Sequence, residues 1–204
     1  MKCYSYVIPR DYGFAPNPYF GYCTLADCKP LIRKGALVGD WIAAFGSATT
    51  QYRQRLVVLM QINEVMDFDT YWQDGRFNIK RPAFNKGIKF AYGDNIYHHV
   101  DGEWVQEFSH HSKVDGGVNL VNLSADTKVN RVLISSNFFY FGDHAIMVPS
   151  EFDAIIKRGR NHIIIRDTEL ITRFIKYVST NYEKGIHGTP YSREDRGFAH
   201  FKGE

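Results

Sequence analysis

The sequence predicts an α+β chain: a small curled β-sheet or open barrel with short helices and one amphipathic helix toward the C-terminus. Three observations lead there. Short runs rich in β-branched and aromatic residues recur along the whole chain, punctuated by Gly, Pro and Asp. Only residues 167–182 carry a sustained helical stripe. The order of elements is a strand, a short basic turn of helix, a Gly-Asp strand and a long return strand, which is not the βαβ repeat of a parallel α/β fold, and no Walker or dinucleotide-type glycine-rich loop accompanies it.

Residues Cys3 to Ile8, rich in Tyr and Val, read as a first strand that Pro9 stops by removing a backbone donor. The loop that follows, Arg10 to Gly21, sets the rings of Tyr12, Phe14, Tyr19 and Phe20 among prolines and glycines, so it either folds onto the core or lines a pocket. Pro30 and Gly35 bracket a helical turn, Leu31 to Lys34. Val38 to Phe45 reads as a buried strand entered through a Gly39-Asp40 turn. Ser47 to Gln54 is a polar connection, and Arg55 to Glu64 is the return strand of a hairpin-like unit. Asp67 or Asp69 caps a short helix through Gln73 that Asp74-Gly75 closes.

Residues Arg76 to Asn130 are irregular, with paired histidines and short candidate strands such as Glu103 to Phe108; so much irregular chain points to function. Arg131 to Ser135, Asn137 to Phe141 and His162 to Arg166 are strand-like, and Glu151 to Lys157 is a helical turn. The clearest helix runs from Asp167 to Tyr182: Leu170, Ile171, Phe174, Ile175 and Val178 form one apolar stripe, Asp167 or Thr168 caps it, and Gly185 follows its end. One domain over residues 1–190 and a mobile polar tail over 191–204 are expected.

Composition narrows the function classes. Hydrophobic residues at 44% and charged residues at 23% suit a packed core and exclude wholesale disorder. A net charge of +3 is well short of the profile of a protein that grips long stretches of phosphate backbone. Thirteen Tyr and fifteen Phe supply flat faces on which bases stack. Three cysteines with no apolar leader suggest the reducing cytoplasm, and no apolar run approaches membrane-spanning length, so no membrane partner is expected.

Four of the eight histidines, His98, His99, His110 and His111, fall in two adjacent pairs near Asp94 and Asp101. Imidazole and carboxylate together bind metals or move protons. Neighbours on a strand face opposite ways, however, and no complete ligand spacing is present, so neither a metal nor another cofactor is expected. Cys23 and Cys28 read as small buried residues, with Cys23 also conceivable as a thiol paired with a loop histidine. Asp94 and Asn95 read as a turn or as donors and acceptors for a base edge.

The stretches Ser5-Tyr6-Val7-Ile8-Pro9-Arg10-Asp11-Tyr12-Gly13-Phe14, Cys23-Thr24-Leu25-Ala26, Val38-Gly39-Asp40-Trp41-Ile42, Gly93-Asp94-Asn95-Ile96-Tyr97-His98 and Ser109-His110-His111-Ser112 resemble the nucleotide modification associated domain 2 family, up to the final helix. The resemblance implies association with systems that hypermodify bases in phage and bacterial DNA. More distantly, Gly35 to Trp72 is similar to the heart of PUA-like, EVE and ASCH domains, small barrels that bind RNA or modified bases, which suggests an open PUA-like barrel.

The resulting expectation is recognition of a nucleotide or a modified nucleic-acid base in a DNA-modification or phage-defence system. Its contact residues are Arg10, Tyr12, Asn17, Lys29, Asp94, Asn95, Tyr97, His98, His110 and His111. The alternatives are a base-modifying enzyme in which Asp94, His98, His110 and His111 serve as acid, base or metal ligand, and a protein-interaction subunit of such a system.

Overall fold

The computed structural model describes residues 1–193, 198–201 and 203. In chain order its elements begin with β1 (Cys3–Ile8), β2 (Cys23–Leu25), α1 (Pro30–Gly35), β3 (Trp41–Gly46), β4 (Leu56–Gln61), β5 (Glu64–Met66) and α2 (Phe68–Gln73). A 3-10 helix (Gly75–Lys80), α3 (Ile88–Ala91), β6 (Tyr97–Val100), β7 (Glu103–Gln106) and α4 (Leu120–Thr127) follow. Next come β8 (Val132–Ser135), β9 (Asn137–Tyr140), 3-10 turns at Gly142–His144 and Ser150–Ile155, β10 (His162–Ile165), α5 (Thr168–Asn181) and β11 (Gly185–Ile186). The α+β class read from the sequence is the class observed, and among the described residues no sheet closes into a barrel.

The chain forms two compact units, each built from three separate segments of the sequence. The first comprises Met1–Asp11, Ala36–Asn63 and Ser135–Ser192. Its six-stranded sheet has the order β10-β1-β3-β4-β9-β11. β1 and β3 are parallel, joined by a long excursion of the chain, whereas β3 and β4 pair antiparallel, as the hairpin reading required. Asp40 sets the entry to β3: its carboxylate accepts from the Lys2 amide at 2.7 Å and the Leu37 amide at 3.1 Å. Gly46 closes β3 where only glycine fits, because a Cβ there would lie 2.0 Å from the Tyr52 carbonyl oxygen. Trp41, Ala43 and Phe45 alternate along β3 and share one buried cluster with Leu170, Ile171, Phe174 and Val178 of α5. Asp167 caps α5, accepting from the Leu170 amide at 3.0 Å.

The second unit comprises Tyr12–Gly35, Glu64–Ile134 and Arg193–Glu204. It holds the three-stranded sheet β2-β8-β5 and the separate hairpin β6-β7. Positive φ at Asp101 (50°) and Gly102 (84°) gives that hairpin its two-residue turn. Asp67 caps α2, as its sequence suggested. The stretch that reads as irregular also contains α4, which the apolar pattern hides. Leu120 and Val121 of α4 face solvent at 71% and 57% exposure, while its buried residues are the polar Asn122 and Asp126. Asn119 starts the helix by accepting from the Val121 and Asn122 amides. Of the tail segment expected to be mobile, residues 194–197, 202 and 204 lie outside the described set. Within the second unit the Ala199 amide donates to the Tyr92 hydroxyl, and the Phe201 amide to the His110 carbonyl.

Phe174→Ala, which empties a fully buried ring site, is expected to destabilise the protein by about 3–5 kcal/mol, whereas Leu120→Ala should change stability by less than about 0.5 kcal/mol. Denaturant midpoints at constant slope measure both; comparable losses would contradict the inverted burial of α4.

Candidate functional site

Within the second unit the chemistry is organised by a cation taken out of water. Arg33 in α1 is fully buried and directs its planar fork at carbonyl oxygens. Nε donates to the Cys28 carbonyl at 2.9 Å, Nη1 to those of Val129 and Arg131 at 2.6 Å each, and Nη2 to that of Asp126 at 2.5 Å. These bonds satisfy the C-terminal end of α4 and tie it to the loop before α1. That loop is bent at consecutive non-glycine residues in the left-handed region, Cys28 (φ 58°) and Lys29 (φ 42°), a conformation kept only where the surroundings impose it.

Three side chains meet where the tie is made. The Cys28 amide donates to Asp126 Oδ1 at 2.7 Å. Asp126 Oδ2 lies 2.7 Å from His111 Nδ1 and accepts from the Tyr97 hydroxyl at 2.9 Å. His111 Nε2 in turn lies 3.9 Å from Cys28 Sγ. Burial alone would raise the Asp126 carboxyl, but His111, the Cys28 amide and Arg33 together hold it below the usual carboxylate range. A carboxylate against Nδ1 assigns the proton to that nitrogen and leaves the Nε2 lone pair facing sulfur. Burial first, then the Asp126 carboxylate, pushes the Cys28 thiol well up, so it rests protonated.

Donor atoms of Cys28, His111 and Asp126 lie within 4.8 Å of one another, the spacing of ligands around a small cation. Both Asp126 oxygens are already engaged, however, by the Cys28 amide and by His111 and Tyr97. As a metal-binding set the donors are therefore short of ligands, and Asp126 stands as the group that orients His111.

A second polar layer adjoins this one. Asp94 accepts from Thr24 at 2.5 Å and Tyr71 at 2.9 Å, and burial raises its pKa against the lowering influence of Lys80. Lys80, also fully buried, donates to Asn17 Oδ1 at 2.8 Å and the Asn17 carbonyl at 3.0 Å; burial brings it down to about 8. Asp27 is different: it is fully buried, and neither carboxyl oxygen has a partner among the described residues. Burial first, then Asp126 and Asp94, push its pKa well above the ordinary value, so it is carried as the neutral acid.

Rings enclose the histidines. Tyr12 and Tyr92 stack at 5.4 Å and 12°, and His110 sits 4.7 Å from Tyr12 and 5.2 Å from Tyr92. Phe14 lies 5.1 Å from His110 and 4.6 Å from His111, and Phe201 lies 5.2 Å from His111. His110 Nδ1 also bonds the Ala199 carbonyl.

Of the residues singled out from the sequence, Tyr12, His110 and His111 share this ring cluster, and Tyr97 and Lys29 border the Cys28–Asp126 junction. Asn17, Asp94 and Asn95 are wholly interior. Asn95 Nδ2 donates to the Tyr71 and Phe77 carbonyls, and the Asn17 amide donates to the Tyr92 carbonyl, which links this network to the rings. His98 stands apart, stacked on Trp72 at 3.9 Å and bonded to Glu107 at 2.9 Å. Arg10 belongs to the first unit and is exposed. Cys28 is the thiol that meets a loop histidine, while Cys23 stays buried. Asp126 carried no sequence signal beyond being a lone acid on a short segment.

The chain belongs to the nucleotide modification associated domain 2 family, which matches residues 1–196 of its 204. That description associates it with nucleotide modification. No curated protein and no solved structure matches it. No helix among the described residues is long and apolar enough to cross a membrane.

Asp27 makes a test of this interior. With its folded-state pKa raised, the native chain holds a proton that the unfolded chain releases. The stability associated with that proton is fully present below the unfolded pKa near 4 and is lost as pH rises through the folded value. Asp27→Asn, neutral at every pH, should therefore be more stable than the parent at pH 7, with the gain vanishing near pH 4. Denaturant unfolding at the two pH values measures this; a variant weaker than the parent at pH 7 would contradict the neutral acid.

Proposed function

We propose that the second unit recognises the base of a nucleotide, free or within nucleic acid, as part of a system that modifies DNA. The observation that carries this reading is the ring cluster of Tyr12, Tyr92 and His110 beneath a guanidinium: Arg193 lies 5.0 Å over the Tyr92 ring and 5.1 Å over that of Tyr19. Stacked rings with a cation above them suit a heterocycle and its phosphate. Arg193 also donates to the Tyr12 carbonyl at 2.8 Å, yet its Nη2 is buried with no acceptor among the described residues, so it has a bond to give to a ligand oxygen.

Phe201 lies near parallel to His110, the arrangement a planar occupant of this cluster would adopt, whereas Phe198 meets His110 edge-on. Beside them a cavity of about 190 Å³ is lined by Ser112, Lys113, Val114, Asn119, His200 and Phe201, the room of about six waters and on the scale of a single ring system. Membership of the family supports the nucleotide context. Asn17, Asp94 and Asn95 support the site from within the fold, and the base contacts fall to the rings.

Calorimetric titration with deoxynucleoside monophosphates tests the proposal. Tyr12→Ala should weaken binding about tenfold or more, the worth of one stacking face, and Lys34→Ala, at an exposed position, should leave it within about twofold. Raising salt from about 50 to 200 mM should cost less than about tenfold. Binding that Lys34→Ala abolishes and Tyr12→Ala spares would contradict base recognition.

A further inference from the structure

We propose that Cys28, His111 and Asp126 form a thiol–imidazole–carboxylate triad in which the Cys28 sulfur adds to C6 of a pyrimidine base. The substrate class rests on the base-recognition reading above; the triad rests on its own geometry. Nucleophilic catalysis by a thiol needs a base within reach of the S–H and a third group that sets that base's tautomer. His111 Nε2 at 3.9 Å from Sγ meets the first need, at the long end of the range seen before a substrate tightens the site, and Asp126 at 2.7 Å from Nδ1 meets the second.

One observation marks the place as built for a ligand, and a bend of the loop accompanies it. Cys28 and Lys29 hold successive left-handed backbone conformations that turn the chain sharply at the cysteine, a half-buried residue where Ala26 and Asp27 before it are buried. Asp27, one residue before the thiol, keeps a buried carboxyl with both oxygens unpartnered among the described residues, the kind of group that an incoming polar atom satisfies.

The step balances without a cofactor. The Cys28 S–H bond breaks and its proton passes to His111 Nε2 as sulfur bonds to C6. The C5=C6 electron pair moves through C4 to the carbonyl oxygen, and the resulting enolate takes a proton at C5 from the imidazolium. Sulfur and hydrogen have then added across one double bond. Reversal restores thiol, imidazole and base, with C5 carrying a hydrogen from solvent. Asp126 touches no reacting atom; it is a positioning residue. The charged and titratable groups around the pair are Asp126 on α4, Asp27 and Lys29 on the loop, Arg33 on α1, Tyr97 on β6 and His110 beside His111.

Two measurements on the full chain test it. In the first, iodoacetamide alkylation of Cys28 is followed by peptide mass spectrometry from pH 5 to 10. The parent rate should inflect well below the thiol range, as expected of a thiol whose proton is taken by a neighbouring base. His111→Gln should lower the rate at pH 7 about 100-fold or more and move the inflection to the thiol, and Asp126→Asn should lower it about tenfold or more with a displaced inflection, in variants whose unfolding midpoints show them folded. A parent profile that rises only above pH 9, or one unchanged by His111→Gln, overturns the triad. In the second, proton NMR follows exchange of H5 of deoxyuridine monophosphate in D₂O. Exchange that the parent catalyses and Cys28→Ser loses is the expected result. Nucleotide binding without exchange overturns addition to the base and leaves base recognition standing; alkylation assisted by His111 without any nucleotide binding removes the recognition reading and with it the assigned substrate.

Discussion

A guanidinium cannot be left bare inside a protein. Arg33 is fully out of water, and all its described hydrogen bonds go to main-chain carbonyls, on Cys28, Asp126, Val129 and Arg131. Burying that charge is acceptable only while those partners stay in place, so the cation locks the loop before α1 to the end of α4. The junction of Cys28, Asp126 and His111 hangs from that lock. It sets Asp126 against the Cys28 amide and His111, and the Arg33 charge helps keep the Asp126 carboxyl ionised when burial would neutralise it.

The same accounting separates three buried carboxyls that look alike in sequence. Asp126 accepts three hydrogen bonds and stays ionised; Asp94 is held by Thr24 and Tyr71 beside buried Lys80; Asp27 has no partner among the described residues and is driven to its neutral form. Environment, not residue type, assigns their roles. An unpartnered acid costs stability, and its presence next to Cys28 fits the tendency of proteins to give up stability where a site needs a particular group. The first unit makes the contrast: its core is dominated by rings and aliphatic side chains around the sheet and α5.

Much of the fold was legible because local chemistry and burial agree there. The stripe of α5 and its Asp167 cap, the Asp67 cap of α2 and the β3-β4 pair follow from patterns in which apolar means inside. α4 breaks the rule, with Leu120 outside and Asp126 inside, because its inner face meets a polar cluster; no periodicity of apolar residues reveals that. The site was half legible for a related reason. Rings and histidines in loops pointed to Tyr12, His110 and His111, which share one ring cluster, but Asn17, Asp94 and the Asn95 Nδ2, which look like a recognition edge, bond inside the fold, and the buried Asn95 Oδ1 has no partner among the described residues. Cys28 and Asp126 lie far apart in sequence and are joined directly by the Cys28 amide and also through Arg33, which is fully buried. The positive φ at Cys28 was the missing signal, and it is a property of coordinates alone.

Asp126 holds His111 in one tautomer, with the proton on Nδ1 and the lone pair of Nε2 turned to sulfur. ¹⁵N NMR of the histidine rings at alkaline pH, with His111 assigned by substitution, reads this directly. The expected spectrum shows a protonated Nδ1 and a pyridine-like Nε2 in the parent, changing toward the opposite tautomer in Asp126→Asn. A His111 protonated on Nε2 in the parent, or one indifferent to Asp126→Asn, would contradict it.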